Sequence, residues 1–468
     1  MKIKILIPLT AVILSIMMIL SGCGKKDTSS TQNKTLGSTD SKATLDTTDM
    51  FTDRDYETGY DESTATKLTV SDSNSEISIT KAGTYIISGS TSDGSITVDV
   101  ADTDKVQIVL NGVSITSKAS AALYVKSADK VFLTTVKGTE NTLANGGTFE
   151  QIDDNNIDGA VFSKSDITFN GEGTLIIKSP AGHGIVGKDD VKLTSGTYTI
   201  TAAYHGIDAN DSIRIANATI SITAGKDGLH CDNEEDSEKG YIYIASGTLD
   251  IKSDDDGIHA TTYLTIDGGT IGIKAAEGLE ATVIKINDGT INIEASDDGI
   301  NAAKKSTVST PLVEINGGKI TIVMGQGDTD GIDSNGNIII NGGTVNITGN
   351  SAFDYDGTGT INGGTVIVNG SEVSTLTNQM MGGGMPGGMK GGMETINPND
   401  AVTSATPDIN GERPEMPQID GSGENGNRPQ RPDGENGSAE SGKRQKPGSK
   451  PTANATDTET LNNGDITA

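Results

Sequence analysis

The stretch IKINDGTINIEASDDGINA, from Ile284 to Ala302, holds one period of the repeat that decides the fold. Alternating apolar residues in IKI and TINI indicate two short strands, Asp-Gly turns follow them, and INA indicates a third strand. The residue after the first turn recurs at intervals of 22, 29, 22, 20, 29, 25 and 21 residues, at Thr197, Thr219, Thr248, Thr270, Thr290, Lys319, Thr344 and Thr365. Three strands and three turns in each period predict an all-β, right-handed parallel β-helix from residue 67 to residue 370.

Composition supports one long repetitive domain rather than several conventional ones. The 468 residues include 60 glycines, 3% aromatic residues and no tryptophan, so bulky rings cannot fill several large cores. The stretches AGTYIISGS (82–90), VQIVLNGVSI (106–115) and VFLTTV (131–136) indicate less regular strands, which we expect to form the first repeats. A leucine-rich repeat would show an L-x-x-L-x-L frame and a hexapeptide β-helix a period of six, and neither pattern is present.

The two ends of the chain differ from the repeats. Residues 1–22 have the form of a signal peptide, with Lys2 and Lys4 ahead of an apolar run that ends in Leu20-Ser21-Gly22-Cys23. This ending resembles a bacterial lipobox, so we expect a lipid on Cys23 to anchor the protein at the cell surface, on the extracellular face of the bacterial membrane. An ordinary signal peptide and an uncleaved anchor are the alternatives. Residues 23–66 are predicted to be a flexible tether, and the Met/Gly/Pro-rich residues 371–468 a disordered tail.

Acidic turns recur at the same place in each repeat, as in SDDDGIHA (253–260). The residue ahead of the turn glycine and the outward residue three positions later should form two columns, because equivalent residues of stacked repeats lie about 4.8 Å apart. The first column comprises His183, His205, Asp227, Asp256, Glu277, Asp298 and Asp330, and the second comprises Asp208, His230, His259, Glu280, Asn301 and Asp333.

Stacked carboxylates predict a cation. At this spacing each pair repels by roughly 3–4 kcal/mol at an effective dielectric constant of 20, so protons or cations must neutralise the columns. In a chain of net charge −29 we predict Ca²⁺. The predicted ligands are Asp208, Asp227, Asp255, Asp256, Glu277, Glu280, Asp297, Asp298, Asn301, Asp330 and Asp333. A plain series of Asp-Gly turns is the alternative. The same charge argues against nucleic acid as a partner.

All four histidines of the chain fall in the two columns. Imidazole suits Zn²⁺ or Ni²⁺, but no His-x-His or Glu-x-x-His spacing supports such a site, so we expect stacked polar turn residues. Cys231, the only cysteine besides Cys23, occupies an alanine-like position of the repeat and is predicted to be a buried, unreactive thiol.

The repeat region resembles a bacterial family of carbohydrate-binding domain-containing proteins. The resemblance rests on AGTYIISGS, VQIVLNGVSI, the SGT and GGT turns, the DGI, DGL and EGL turns, and the Met/Gly-rich tail. Members are secreted or lipid-anchored parallel β-helices related in fold to Ca²⁺-dependent pectate lyases. The resemblance therefore implies that this protein binds plant polysaccharide, above all acidic, pectin-like chains, with calcium in the β-helix.

The outward side chains of the first strand offer candidate sugar contacts. Lys192, Arg214, Tyr243 and Lys285 fall in one column, where cations would pair with uronate carboxylates and tyrosine would support a sugar ring. A solvated sheet face is the alternative interpretation. If the protein is instead a Ca²⁺-dependent polysaccharide lyase, Lys252 or Lys274 is the candidate base. A non-catalytic surface adhesion protein is the third hypothesis, and we expect a monomer.

Overall fold

The computed structural model describes residues 44–151, 153–326 and 329–378 and is nearly all β. It contains one short helix, α1 (Asp53–Tyr56), and 34 strands that belong to a single sheet. Among the named strands of the described ranges, every pair is parallel except the final one, β33 with β34. This arrangement is consistent with the predicted β-helix. No helix among the described residues is long and apolar enough to cross a membrane.

The first six strands form the beginning of the sheet, with β1 pairing to β3, β3 to β5, β2 to β4, and β4 to β6. Their bounds are β1 (Thr66–Val70), β2 (Glu76–Ile79), β3 (Gly83–Thr91), β4 (Ser95–Asp99), β5 (Lys105–Ser117) and β6 (Leu123–Ser127). The stretches singled out in the sequence around residues 82–90, 106–115 and 131–136 all lie in strands, as predicted.

The remaining strands form three rows, because each strand pairs with its equivalent in the next repeat. Row A contains β7 (Lys130–Thr135), β10 (Asp166–Gly171), β13 (Asp190–Leu193), β16 (Ser212–Ile215), β19 (Tyr241–Ile244), the second halves of β21 (Ile258–Ile266) and β23 (Leu279–Ile286), β26 (Leu312–Ile315), β29 (Asn337–Ile340) and β32 (Gly359–Ile361).

Rows B and C complete each repeat. Row B contains β8 (Glu140–Asn145), β11 (Thr174–Ser179), β14 (Thr197–Ala202), β17 (Thr219–Ala224), β20 (Thr248–Ser253), β22 (Thr270–Ala275), β24 (Thr290–Ala295), β27 (Lys319–Met324), β30 (Thr344–Thr348) and β33 (Thr365–Val368). Row C contains β9 (Gly159–Ser163), β12 (His183–Gly187), β15 (Ile207–Ala209), β18 (Leu229–Cys231), the first halves of β21 and β23, β25 (Ile300–Ala302), β28 (Asp330–Ser334) and β31 (Ser351–Tyr355). The last strand is β34 (Ser371–Val373), and Leu376 after it is buried, so the predicted disordered tail is wrong for residues 371–378; residues 379–468 lie outside the described residues.

The register of row B confirms the sequence alignment. Eight residues that follow the first turn, from Thr197 to Thr365, lie on eight successive strands of row B, and each is paired with the next. The apolar residues between them point inward, and Ile222, Ile251 and Ile273 are almost fully buried. Inward side chains of all three rows therefore join one continuous apolar core.

The turn glycine before row C is required by the close approach of neighbouring repeats. A Cβ on Gly257 would lie 2.6 Å from the carbonyl oxygen of Gly278 and 2.4 Å from Cγ2 of Ile273. Any larger residue would push the repeats apart, which explains why the acidic residue of each turn is followed by glycine.

An asparagine ladder marks the turn between rows A and B. Nδ2 of Asn287 donates to Asp267, Nδ2 of Asn316 donates to Oδ1 of Asn287 at 2.8 Å, and Asn341 and Asn362 continue the series. Each amide both donates and accepts, so stacking equivalent amides satisfies them. The fold thus has a neutral way to fill a stacked turn position.

Residues 50–57, here called the strap, cross the outer face of row A. They belong to the segment predicted to be a flexible tether, and that prediction is wrong for them. Asp55 of α1 is fully buried: its Oδ1 lies 2.7 Å from Nζ of Lys130 and accepts a hydrogen bond from Oγ1 of Thr168, and its Oδ2 lies 3.8 Å from Nζ of Lys192. These partners belong to β7, β10 and β13, which are consecutive strands of row A. The described part of the tether from residue 50 to residue 57 is therefore packed against the sheet.

Apolar contacts extend the strap across the next strands. Met50 is 6% exposed and packs with Tyr241 and Tyr243, and the Phe51 ring lies 6.2 Å from that of Tyr243. The main-chain oxygen of Met50 also accepts a hydrogen bond from Arg214. Polar residues dominate the sequence around the strap, so its few anchoring side chains give no periodic signal.

Replacing Asp55 with Asn should destabilise the fold by roughly 3–5 kcal/mol, because Lys130 would stay buried after losing its nearest carboxylate. Burial alone would raise the pKa of Asp55, but Lys130, the Thr52 amide and Thr168 outweigh it and hold that pKa well below its ordinary value. The native contribution is therefore complete at neutral pH and is lost as pH falls below about 4, towards the folded-state pKa. Urea unfolding at pH 7 and pH 3 measures both effects.

The matched control is Asp53→Asn, which removes an exposed carboxylate from the same helix. It should change the unfolding free energy by no more than about 0.5 kcal/mol. Equal stability of the two variants would contradict the assigned role of Asp55.

Candidate functional site

Both columns form as predicted. The second column is in register through successive row C strands, from Asp208 to His230, His259, Glu280, Asn301 and Asp333, and continues to Asp354. The first column lies at the turn that precedes each row C strand. There the backbone N–H of each turn glycine donates to the main-chain oxygen of the column residue in the next repeat, for example from Gly257 to Glu277 at 2.8 Å. The columns therefore run side by side along one edge between rows B and C.

Imidazoles lie against the carboxylates in the N-terminal half of the columns. Nδ1 of His230 lies 2.7 Å from Oδ1 of Asp208, and Nδ1 of His205 lies 3.2 Å from Oδ2 of Asp227. Burial would raise the pKa of Asp208 and of Asp227, but the histidines beside them lower both below the ordinary value. These two carboxylates are thus stabilised as anions by neighbours within the chain.

The middle of the columns holds a buried ion-pair cluster. Nδ1 of His259 lies 2.8 Å from Oδ2 of Asp256 and 2.7 Å from Oε2 of Glu280, and Nζ of Lys305 lies 2.7 Å from Oε1 of Glu280. Burial opposes the charged imidazole, yet the two carboxylates raise the pKa of His259 to about 10. His259 is therefore a cation at neutral pH and compensates for part of the acidic stack.

The C-terminal half of the columns lacks such compensation within the described residues. Burial and the nearby Glu280 raise the pKa of Glu277 to about 8. Burial raises the pKa of Asp298 to about 6 and that of Asp333 to about 7, with neighbouring aspartates adding to both shifts. At pH 7 Glu277 and Asp333 therefore keep a large share of their protons in the metal-free protein, and the negative charge of this half develops as pH rises towards 8.

Unsatisfied oxygen atoms accompany this charge. Oδ1 of Asn301, Oδ1 of Asp354 and Oγ1 of Thr329 are buried without a hydrogen-bond partner in the described structure. Asn301 and Asp354 belong to the second column, and Thr329 precedes Asp330. Carboxylate, amide and hydroxyl oxygens are the ligand types that a hard divalent cation such as Ca²⁺ prefers, and Asp256, Glu277 and Glu280 bring carboxylate oxygens within 4.8 Å of one another at the start of this half.

Three features of the predicted ligand set need correction. Asp255 and Asp297 are exposed and lie outside both columns, and Asp255 faces Lys226 at 3.6 Å. Asp208 and Asp227 are held by histidines, so they do not stand as free carboxylates. The sequence analysis also missed Asp354, because its turn has Ser-Ala where the other repeats have an acidic or histidine residue and glycine. Asp354 lies 21 residues after Asp333, and this distance of one repeat is the sequence signal that could have placed it in the column.

The predicted sugar-contact column is in register but covered. Lys192, Arg214 and Tyr243 fall on adjacent strands of row A, and Lys285 continues the same column beyond Thr265 of β21, as expected. However, Lys192 is 5% exposed and Tyr243 is 7% exposed, because the strap lies over them. Their polar and aromatic groups contact Asp55, Phe51 and Asp267 within the chain. The expectation of an open sugar-binding face there is therefore wrong for the strap-covered part.

A groove of about 560 Å³ opens instead on the outer face of row B. Its polar lining residues come from five adjacent strands, β17 to β27, and are Ser221, Thr223, Asp250, Lys252, Lys274, Asn292, Glu294 and Thr321. Gly272 lies in the lining between Asp250 and Asn292 in register, so one side chain is missing from the row of outward groups there. Lys252 and Lys274 are paired in register, and Nζ of Lys274 lies 2.9 Å from Oε2 of Glu294.

Cys231 is fully buried and free, in agreement with the sequence analysis. Burial raises the pKa of its thiol well above the ordinary value, and nearby aspartates add to the shift. The thiol therefore serves as a small apolar side chain in the core.

Comparison with known proteins assigns the family. The model of the family described as carbohydrate-binding domain-containing protein matches residues 73–329 and 279–375, and the chain belongs to that family. A carbohydrate-binding domain-containing protein from Acetivibrio thermocellus is 34% identical over 204 residues, which are 43% of this chain and 66% of that protein, slightly under two thirds of its length. A solved structure of a polysaccharide lyase-like protein from C. thermocellum, a gadolinium derivative, is 33% identical with a TM-score of 0.44, covering 49% of this chain and 96% of that chain.

Millimolar Ca²⁺ should stabilise metal-free protein more at pH 8 than at pH 5. Because the folded-state pKa values of Glu277, Asp298 and Asp333 lie near 8, 6 and 7, above the ordinary values, the metal-free fold loses stability as pH rises from about 4 to 8. A cation that binds only the folded chain offsets this loss, by about 2.7 kcal/mol per site at a hundred times its Kd. Thermal unfolding after EDTA treatment, with and without Ca²⁺, measures the difference.

The variant Asp298→Asn/Asp333→Asn should reduce both the pH effect and the response to Ca²⁺. The control Asp255→Asn removes an exposed carboxylate outside the columns and should leave both unchanged. A melting temperature that responds equally to Ca²⁺ in the two variants would rule out this part of the columns.

Proposed function

We propose that this protein binds polysaccharide in the groove on row B. The observation that carries the proposal is the lining of the groove, in which hydroxyl, amide, carboxylate and ammonium groups alternate over five strands. At about 4.8 Å per strand, these strands span roughly 19 Å, a length that suits an extended chain of sugars. Membership of a carbohydrate-binding family supports the same ligand class.

The preferred ligand in this proposal is an acidic, pectin-like polysaccharide with calcium. Lys252 and Lys274 offer cations to uronate groups inside the groove. The turn that carries the first acidic column directly follows row B in each repeat, so Ca²⁺ held near Glu277 and Asp298 would stand close to the groove edge. Without such a cation, a protein of net charge −29 would repel a polyuronate.

The same proposal includes the finer architecture. Three parallel rows joined by short turns are wound as a right-handed parallel β-helix, because crossovers between parallel strands are right-handed in almost all proteins. The continuous outer face of row B in such a helix presents the groove along the helix axis. A monomer is sufficient for this binding mode.

A Ca²⁺-dependent polysaccharide lyase is the second candidate function. It is favoured by one observation, that Lys252 and Lys274 both line the groove, where one of them could remove a proton next to a uronate carboxylate. Formation of unsaturated uronide from polygalacturonate, followed by ultraviolet absorbance with and without Ca²⁺, separates a lyase from a binding protein. A glycan array without any positive glycan would favour the third candidate, a structural or adhesion protein.

Lys252→Ala should weaken binding to polygalacturonate about tenfold to a hundredfold, since hydrogen bonds to charged groups contribute about 1.5–3 kcal/mol. Asn292→Ala, at the groove centre, should cost about fivefold to tenfold through loss of a neutral hydrogen bond. Isothermal titration calorimetry with oligogalacturonates measures both affinities.

The matched control is Asn346→Ala, which removes the same amide from the equivalent outward position of β30, beyond the groove. It should bind like the unchanged protein. Equal effects of Asn292→Ala and Asn346→Ala would move the sugar site away from the groove.

We also propose that a lipid on Cys23 holds the protein at the cell surface. Residue 23 lies outside the described residues, so the proposal rests on the Leu-Ser-Gly-Cys sequence alone. Cys23→Ser should release the protein from the membrane fraction or stop its processing, as followed by fractionation and immunoblotting. The replacement Cys231→Ser is the control, because that thiol is buried in the core and should leave membrane association unchanged. Full retention of Cys23→Ser in the membrane would refute lipidation.

A further inference from the structure

The four histidines form one continuous stack, although the sequence places them in two separate columns. The ring centroids of His183 and His205 are 5.0 Å apart, those of His205 and His230 are 4.1 Å apart, and those of His230 and His259 are 5.1 Å apart. The stack changes from the first column to the second between His205 and His230. Register therefore brings together ring nitrogens from four successive repeats.

One end of this stack has the donor set of a transition-metal site. Ligand atoms of His183, His205 and Asp208 all lie within 4.8 Å of one another. Two imidazoles and one carboxylate are a common protein ligand set for Zn²⁺, with a fourth position left for water or another ligand. Tetrahedral bonds to nitrogen of about 2.0–2.1 Å place two ligand atoms roughly 3.3 Å apart, a separation that small side-chain rotations can reach.

A second observation points to a ligand at the same place. Nδ1 of His183 is buried and has no hydrogen-bond partner among the described residues, although a buried ring nitrogen normally has one. Oδ1 of Asp158, at the adjoining end of row C, is also buried and unpartnered.

Neighbouring groups would orient and admit the ion. Nδ1 of His230 lies 2.7 Å from Oδ1 of Asp208 and fixes that carboxylate, as partners of metal ligands commonly do. The side chains of His205 and Asp208 are 18% and 17% exposed, so water and ions reach the site from one side. His183 distinguishes this set from the neighbouring set of His205, Asp227 and His230, because its Nδ1 has no hydrogen-bond partner among the described residues.

We propose that His183, His205 and Asp208 bind a borderline divalent transition-metal ion, with Zn²⁺ as the ion of first choice. Nitrogen donors separate this site from the all-oxygen part of the columns near Glu277 and Asp298, which suits Ca²⁺. The two ends of one acidic stack thus select different metals. The site does not depend on the proposed polysaccharide binding.

The test uses full-length protein stripped with EDTA and then titrated with Zn²⁺ in the presence of millimolar Ca²⁺. One Zn²⁺ per chain should bind, and Co²⁺ at the same site should give the visible absorption of a four- or five-coordinate ion with nitrogen ligands. His183→Gln and Asp208→Asn should each reduce Zn²⁺ affinity by more than the roughly 10- to 100-fold that loss of an orienting partner costs. His259→Gln, which removes a histidine from the other end of the stack, should leave the affinity within about twofold.

Circular dichroism identifies any variant that does not fold, and the Co²⁺ spectrum of the unchanged protein then decides alone. Absence of stoichiometric Zn²⁺ binding in the presence of Ca²⁺, or an octahedral all-oxygen Co²⁺ spectrum, would overturn the proposal. An affinity that His183→Gln leaves unchanged would overturn it as well, because the ion would then lie elsewhere in the chain.

Discussion

Parallel pairing in register places every side chain on top of its equivalent in the next repeat, about 4.8 Å away. The interaction between two equivalent residues is therefore repeated along the whole column. Isoleucines such as Ile222, Ile251 and Ile273 add up to a continuous core, and asparagines from Asn287 to Asn362 add up to a hydrogen-bonded ladder. Aspartates at the same spacing add up to repulsion. The fold therefore tolerates an acidic column only if something other than the column neutralises it.

The two halves of the columns meet this requirement differently. Towards the N-terminal end, histidines lie against the carboxylates, and Lys305 joins the cluster around Glu280. Beyond Glu277 the columns contain further acids, and buried oxygen atoms of Asn301 and Asp354 have no hydrogen-bond partner in the described structure. At the A–B turns the same fold stacks neutral asparagines from Asn287 to Asn362, so a stacked turn position can also be filled without charge.

Features that depend on the period of the repeat could be predicted from the sequence, and features outside the repeat could not. The anchors from Thr197 to Thr365 and the second column from Asp208 to Asp333 follow from counting residues, because in-register pairing fixes their neighbours. The contact between Asp55 and Thr168 joins residues 113 positions apart and belongs to no repeat, so the covering of Lys192 and Tyr243 could not be predicted. The stacking of histidines from both columns also depends on side-chain directions that a residue count does not contain.

The strap has a mechanical consequence. It grips consecutive strands in the body of the sheet, with Asp55 on β7, β10 and β13, and Phe51 near β19. The chain then returns to β1, the first strand of the sheet, at Thr66. Tension applied to the segment before residue 50 would reach these contacts first and act on several strands at once. While they hold, β1 carries no force, and the sheet is protected from being peeled apart strand by strand from its end.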